Sequence, residues 1–502
     1  MKTHPHLSTS LFLATLLFSG LAPAQTPAPS ANQKMKAFTY HEFGSPDVLR
    51  LEEVDKPVPK DNQILIKVRG LSVNPLDWHF LEGLPYIARP LAFGFLKPTV
   101  TQLGVDYSGI VEAVGKDVTD IKPGDEVYGN KFGAFAEYVV ATSKALSLKP
   151  AGLTFEQAAS LPVAALTALQ TLRDHGKVQP GQKVLINGAS GGVGTFAVQI
   201  AKSLGAEVTG VCSGRNVELV RSLGADHVID YTKEDFTQRP ERYDVIMDNV
   251  GSQPLSGFRR VLPPTGKYIV VGGGGANDSR WVGPFSSVLK QVVLKPFISQ
   301  EMKMMLAEMN RKDLVILEEL IQSGKMKPVI DKTYTFNQLP EALRYLEEGH
   351  ARGKVVVSVG DTIEPLPPSP NRAPTASNPV LVAIGLIAIP MLFLIAPIIL
   401  AFILNRRFRE RNPDKRSYRW GYYFSMMAFV GGLLLGALLE IGTLGVIICG
   451  VVYAVLAWFF ARRQHWAWIA LTLLSFNPIA WIINAIYLWK RWREEPGATA
   501  AA

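Results

Sequence analysis

Cysteine is nearly absent: Cys212 and Cys449 are the only two among 502 residues. Cys212 falls at the end of a predicted strand and Cys449 inside an apolar run, so no disulfide framework is implied. Two thiols also exclude a four-thiolate zinc site. Charge is scarce as well, 19% of residues against 48% hydrophobic. The mean hydropathy is +0.14, and a positive value over so long a chain points to membrane segments. The 52 basic residues exceed the 43 acidic ones by 9, a balance that raises nucleic acid as a partner. No helix-turn-helix, zinc-finger or RNA-binding signature accompanies it. From Asp361 onward 13 Lys/Arg face 7 Asp/Glu, an excess of 6, and they flank apolar runs. Lipid headgroups account for them better than nucleic acid does.

The length leaves room for two or three domains. Residues 1–24 read as a secretory signal: Lys2, an apolar stretch from Leu11 to Leu21, then Ala22-Pro23-Ala24 as a cleavage site. Short strands broken by Gly and Pro fill 35–155, among them Ile64–Val68, Gly109–Gly115 and Ala134–Val140, and suggest a small barrel. After Thr154 the pattern alternates between strand and helix. Val184–Ile186, Glu207–Val211, His227–Asp230, Asp244–Asp248, Tyr268–Gly272 and Lys354–Val359 read as buried strands, the pattern of a doubly wound parallel sheet. This second domain spans 156–300, and 301–360 returns to complete both domains. A Pro-rich linker covers 361–379.

Beyond the linker, 380–489 carries apolar runs at about 380–404, 421–439, 443–460 and 467–488, the last broken by Asn477-Pro478. A membrane span needs about 20 apolar residues. Trp420, Tyr422, Trp466, Trp468, Trp489 and Trp492 gather at the edges of these runs, as in an interfacial belt. A transmembrane helical bundle is expected. The loop Asn405–Trp420 carries seven Lys/Arg and belongs on the cytoplasmic side. With the N-terminal signal, that places residues 25–379 outside the cytoplasm.

The central motif is Asn187-Gly188-Ala189-Ser190-Gly191-Gly192-Val193-Gly194, between the strand Val184–Ile186 and a helix reaching about Leu204. Glycines there make a tight turn and let backbone approach a pyrophosphate, while the helix start offers free N–H groups. At the end of the next strand an NAD site would place an Asp or Glu for the ribose hydroxyls. Val211-Cys212-Ser213-Gly214-Arg215-Asn216 has none. Ser213, Arg215 and Asn216 suit a 2′-phosphate instead, with Arg215 as the charge partner. NADPH is therefore expected over NADH.

The run Gly181-Gln182, Leu185, Ala189-Ser190-Gly191-Gly192, Gly194, Gln199 and Lys202 resembles, at every position, the quinone oxidoreductase/zeta-crystallin signature of the medium-chain dehydrogenase/reductase superfamily. Residues about 35–360 are similar to that family throughout, including Asn74-Pro75-Leu76-Asp77, Pro123-Gly124-Asp125-Glu126-Val127 and the closing Gly349-His350-Ala351-Arg352-Gly353-Lys354. The resemblance implies an α/β protein made of a GroES-like β-barrel catalytic domain and a Rossmann domain, with the cofactor in the cleft between them. It implies Tyr231 near the 2′-phosphate and Thr167 near the nicotinamide. Asn249 to Gly251, Val271, Gly272, Gly273, Arg352 and Lys354 would lie along the cofactor. Relatives are often dimers, so a homodimer is an expectation.

Zinc-dependent relatives place a cysteine where this chain has Asn74, and Gly-His-Glu where it has Gly104-Val105-Asp106. With those ligands missing, no metal is expected. Alcohol oxidation by the zinc route is disfavoured, and hydride transfer to a quinone or an α,β-unsaturated carbonyl remains. Asn74, His79 and Tyr86 are the candidate catalytic residues. His79 and Tyr86 are alternative proton donors, each equally well read as a wall of the cleft. Two other functions stay open: reduction of simple carbonyls, and a membrane sensor that only binds NADPH. NADPH is scarce outside the cytoplasm, so the expected topology and the expected cofactor pull against each other.

Overall fold

The computed structural model describes residues 33–271, 280, 299–361, 363, 406 and 410. The signal segment, Gly272 and Gly273, almost all of the linker and the four apolar runs lie outside the described residues. Among the described residues no helix is long and apolar enough to cross a membrane.

The chain opens with an antiparallel pair, β1 (Lys34–Thr39) and β2 (Arg50–Asp55). Next come β3 (Ile64–Ser72) and helix α1 (Pro75–Glu82). Asn74 and Asp77 form a capping box at the start of α1, Pro75 takes a position that needs no N–H, and Gly83 ends the helix in the left-handed conformation at φ 62°. The barrel continues with β4 (Asp106–Val114), β5 (Glu126–Asn130), β6 (Tyr138–Ala141) and β7 (Leu146–Leu148). The strand expected from Ala134 begins only at Tyr138. Before that the backbone crosses to other partners: Phe135 N–H donates to the Leu103 carbonyl, and Phe38 N–H donates to the Phe135 carbonyl.

Helices α2 (Phe155–Ala159) and α3 (Pro162–Gln170) lead into the second domain. There β8 (Lys183–Asn187), α4 (Gly192–Ser203), β9 (Glu207–Cys212), α5 (Val217–Ser222), β10 (His227–Asp230), β11 (Val245–Asp248), α6 (Leu255–Arg260) and β12 (Lys267–Val270) alternate. After these come β13 (Glu301–Met304), α7 (Arg311–Gln322), β14 (Ile330–Thr335), α8 (Leu339–Glu347) and β15 (Lys354–Ser358).

Strands pair in the order β10-β9-β8-β11-β12-β13, all parallel. That is the dinucleotide-binding order, and its reversal point lies between β8 and β11, where ligands bind beyond the strand ends. Val184, Leu185, Ile186, Val245, Ile246 and Met247 are buried from both faces, which is why these strands read as unbroken apolar runs. A seven-stranded sheet, β14-β15-β3-β4-β5-β7 with β6 on β3, forms the barrel domain.

The strand at Lys354 corrects an expectation. Its Val-Val-Val run reads like the parallel strands before it, yet β15 joins the barrel, parallel to β14 and antiparallel to β3. An apolar run shows that a strand is buried and not which sheet buries it. Gly353, one residue earlier, bridges Gly191 of the glycine-rich turn. The two domains therefore meet at the cofactor motif.

Candidate functional site

The glycine-rich turn sits at the end of β8, and Gly191 is the N-cap of α4. A Cβ on Gly191 would meet only the Gly188 carbonyl, at 3.5 Å, so the space outside the turn is open. A Cβ on Gly194 would lie 2.1 Å from the same carbonyl, so that glycine is required by the turn itself. Ala189 is buried, and Val193, in the first turn of α4, is half-buried against the hydrophobic core. At the end of β11, Asp248 is fully buried and organises the facing loop. Its Oδ1 accepts from Asn187 Nδ2 at 2.8 Å and from the Val250 and Gly251 N–H groups, and its Oδ2 accepts from the Tyr268 hydroxyl at 2.7 Å. Asn249 Nδ2 donates to the Asn187 carbonyl at 2.8 Å, and Val271 N–H donates to the Asp248 carbonyl.

Past β9, Asn216 Nδ2 donates to Ser190 Oγ at 2.9 Å and Ser213 Oγ at 3.2 Å. Among the described residues, the buried Oδ1 atoms of Asn216 and Asn249 have no hydrogen-bond partner. Buried acceptors are rarely left so, and a ligand rich in hydroxyl donors would satisfy them. Arg215 is exposed, with Nη2 donating to the His350 carbonyl at 3.2 Å. Tyr231 is 57% exposed and Arg352 is exposed. Thr167 is buried on α3, its Oγ1 donating to the Val163 carbonyl. Open space at the turn, the two unpartnered acceptors and an exposed arginine and tyrosine at one mouth fit a phosphorylated dinucleotide.

The barrel side contributes a buried polar cluster. Lys354 Nζ donates to Asn74 Oδ1 at 2.6 Å and lies 3.9 Å from Asp106 Oδ2. Asn74 Nδ2 donates to Asp106 Oδ2 at 2.9 Å and to the Ser72 carbonyl at 3.2 Å. Asn74 N–H donates to Asp77 Oδ2 at 2.7 Å. Asp106 Oδ1 accepts from the Val163 N–H at the start of α3. Both ends of the Asn74 amide are thus occupied inside the protein, which argues against its touching substrate. Burial, with some repulsion from Asp106, raises the Asp77 carboxyl to about 7; burial raises Asp106 to about 6. Burial also lowers the Lys354 ammonium, against the pull of Asp106 and Asp77.

His79 stacks on Trp78 with ring centroids 3.8 Å apart, and its Nδ1 lies 3.1 Å from the Leu84 carbonyl. A carbonyl can only accept, so Nδ1 carries the proton and Nε2 is left as an acceptor. Burial lowers its pKa to about 4, so His79 is neutral at physiological pH and poorly suited to give a proton. Tyr86 is buried beside Trp78 and Leu84, its ring 4.9 Å from the Arg89 guanidinium. Phe80 packs on Phe93 and Phe132.

A 2-methylene-furan-3-one reductase from Solanum lycopersicum is 36% identical over 369 residues, covering 70% of this chain and 86% of that protein. The chain belongs to the medium-chain dehydrogenase/reductase superfamily. Within it the chain is quinone oxidoreductase-like. An NADPH-dependent alkenal/one oxidoreductase of Arabidopsis thaliana is also 36% identical, over 66% of this chain and 81% of its own length. The structure of the quinone oxidoreductase from Coxiella burnetii is matched in full by 65% of this chain, with 33% identity and a TM-score of 0.57. Residues 60–151 match the alcohol dehydrogenase GroES-like domain and 223–357 the zinc-binding dehydrogenase family. The chain is an oxidoreductase that uses NAD(P)H.

The zinc in that last family name does not suit these residues. Among the described residues no three His, Cys, Asp or Glu side chains gather as metal ligands. Metal analysis of the purified chain is expected to find no stoichiometric zinc, and chelator to leave activity intact; one zinc per chain would contradict this.

Of the residues that organise this quinone oxidoreductase-like site, Asp77, Asp106 and Asp248 are absent from the set expected to bind or react. The Asn-x-x-Asp capping box and an Asp closing a strand before Asn-Val-Gly were the available signals. Asp77 has a consequence for stability. Its folded pKa lies above the unfolded value, so the folded state binds the extra proton between about pH 4 and about pH 7, and stability falls as pH rises through that window. Asp77→Asn removes this dependence. Its stability relative to the natural chain should improve by on the order of 2 kcal/mol between about pH 5 and about pH 8. Parallel denaturation curves for the two proteins at both pH values contradict the assignment.

Proposed function

We propose that this chain is a membrane-anchored, zinc-independent reductase that transfers hydride from NADPH to a quinone or an α,β-unsaturated carbonyl. The observation that carries the reading is the composition of the cleft. One wall is a dinucleotide turn with open space and unpartnered acceptors. The other has the Asn74 amide where zinc relatives would keep a cysteine, and the Lys354 ammonium donates to it. Without a Lewis acid, acceptors already activated for hydride addition are favoured.

Gly188, Ala189, Gly191, Gly192 and Val193 would hold the pyrophosphate. Ser213, Arg215, Asn216 and Tyr231 would hold the 2′-phosphate end, with Thr167 and Asn249 nearer the nicotinamide. The chemistry NADPH supplies when bound is a hydride; the matching proton comes from the chain or from water. Tyr86 is the better donor of the two alternatives, because His79 is neutral with Nε2 an acceptor. The named acceptors of the relatives, a methylene-furanone, alkenals and quinones, support an acceptor of this class.

The test is loss of NADPH absorbance with quinones, enones and simple aldehydes. Turnover of the first two is expected. Turnover of aldehydes alone would favour the alcohol dehydrogenase direction, and NADPH binding with no turnover would favour a sensor. The apolar runs at 380–489 support anchoring, with the enzyme domain on the extracytoplasmic side. Protease added to intact spheroplasts should remove that domain, and full protection until lysis would reverse the orientation.

A further inference from the structure

The buried cluster around Lys354 belongs to neither domain alone. Asn74 is the N-cap of α1, Asp106 comes from the start of β4, the Val163 N–H from the start of α3, and Lys354 from the start of β15. The stem of Lys354 lies against the Rossmann turn: its Cδ is 3.0 Å from where a Gly192 Cβ would stand, and Gly353 bridges Gly191. The side chain therefore passes the pyrophosphate-binding turn and ends on the barrel floor, on Asn74 Oδ1 at 2.6 Å. At the far side of the floor, Asp106 Oδ1 accepts from Val163 N–H at 3.1 Å, one turn before Thr167. Lys354 is only 4% exposed, so its side chain has little room to swing away from Asn74.

We propose that Lys354 is a positioning residue for hydride transfer, a tie between the glycine-rich turn and the Asn74–Asp106 floor that sets the distance between nicotinamide and acceptor. The inference rests on the cofactor reading above. Hydride transfer is steep in distance, and a misplacement of about 1 Å costs on the order of 100-fold in rate. A simple phosphate anchor would act differently. It would alter NADPH affinity and leave kcat at saturation alone.

The experiment compares the full chain with Lys354→Met and with Lys354→Met/Asp106→Asn, measuring NADPH affinity by fluorescence titration, kcat, KM and the isotope effect with deuterated NADPH. The double variant removes the uncompensated buried carboxylate that the single one creates, so it keeps the test open if Lys354→Met is unstable. NADPH affinity within about three-fold of the natural chain is expected for both, with kcat lower by about 10- to 100-fold and a larger isotope effect on kcat. Recovery of kcat in the double variant would overturn the proposal and leave Lys354 a charge-balancing residue. So would weakened NADPH binding with kcat unchanged. Failure of the natural chain to bind NADPH would instead sink the cofactor reading and this inference with it.

Discussion

Gly191→Val is expected to abolish NADPH binding in a chain that still folds. The Cβ at this position points into open space with only the Gly188 carbonyl within 4 Å, at 3.5 Å. That space is where a pyrophosphate would meet the N-terminus of α4, so a branched side chain excludes the ligand without disturbing the turn. A loss of more than about 100-fold in affinity, roughly 2.7 kcal/mol, is expected, with the melting temperature little changed. Gly194→Val should behave in the opposite way. Its Cβ would stand 2.1 Å from the Gly188 carbonyl and 2.8 Å from Ala189 backbone, so the turn itself must open. Destabilisation of more than about 3 kcal/mol is expected, and lost binding would then be secondary. Thermal melting alongside NADPH fluorescence separates the two. Undiminished affinity in folded Gly191→Val would place the cofactor elsewhere.

Arg215→Ala is expected to erase most of the preference for NADPH over NADH. Arg215 is a charged group at the expected 2′-phosphate mouth, exposed, with Nη2 donating to the His350 carbonyl. Tyr231 stands exposed at the end of the neighbouring strand β10. A charge-assisted contact from guanidinium to phosphate contributes about 1.5–3 kcal/mol. NADPH affinity should therefore fall by roughly 10- to 100-fold while NADH affinity holds. Equal losses for both cofactors would mean that Arg215 supports the fold of the mouth rather than reading the phosphate.

The cofactor half of the cleft was legible because its chemistry is local in sequence. A strand, a glycine turn and a helix start are contiguous from Lys183 to Ser203, and the missing acidic residue after β9 can be read directly. The barrel half was not legible in the same way. Asn74, Asp106 and Lys354 lie far apart in sequence and meet only because β15 inserts beside β3. Nothing in the Val-Val-Val run shows which sheet it will join. The edge strand β13 was also missed. Glu301-Met302-Lys303-Met304 is neither an apolar run nor a strong β-former, and its place depends on pairing with β12. The state of His79 likewise needed the fold, since the Leu84 carbonyl beside Nδ1 and the surrounding burial decide it.

The most direct measurement follows a deuterium. NADPH labelled at the nicotinamide carbon that gives up the hydride is incubated with the purified chain, an enone or quinone, and excess chelator. Metal-free hydride transfer from NADPH predicts one deuterium in the reduced product, at the electrophilic carbon of an enone, or the equivalent two-electron reduction of a quinone with loss of label from the cofactor. Turnover that stops with chelator, or an enone product without deuterium, would contradict it.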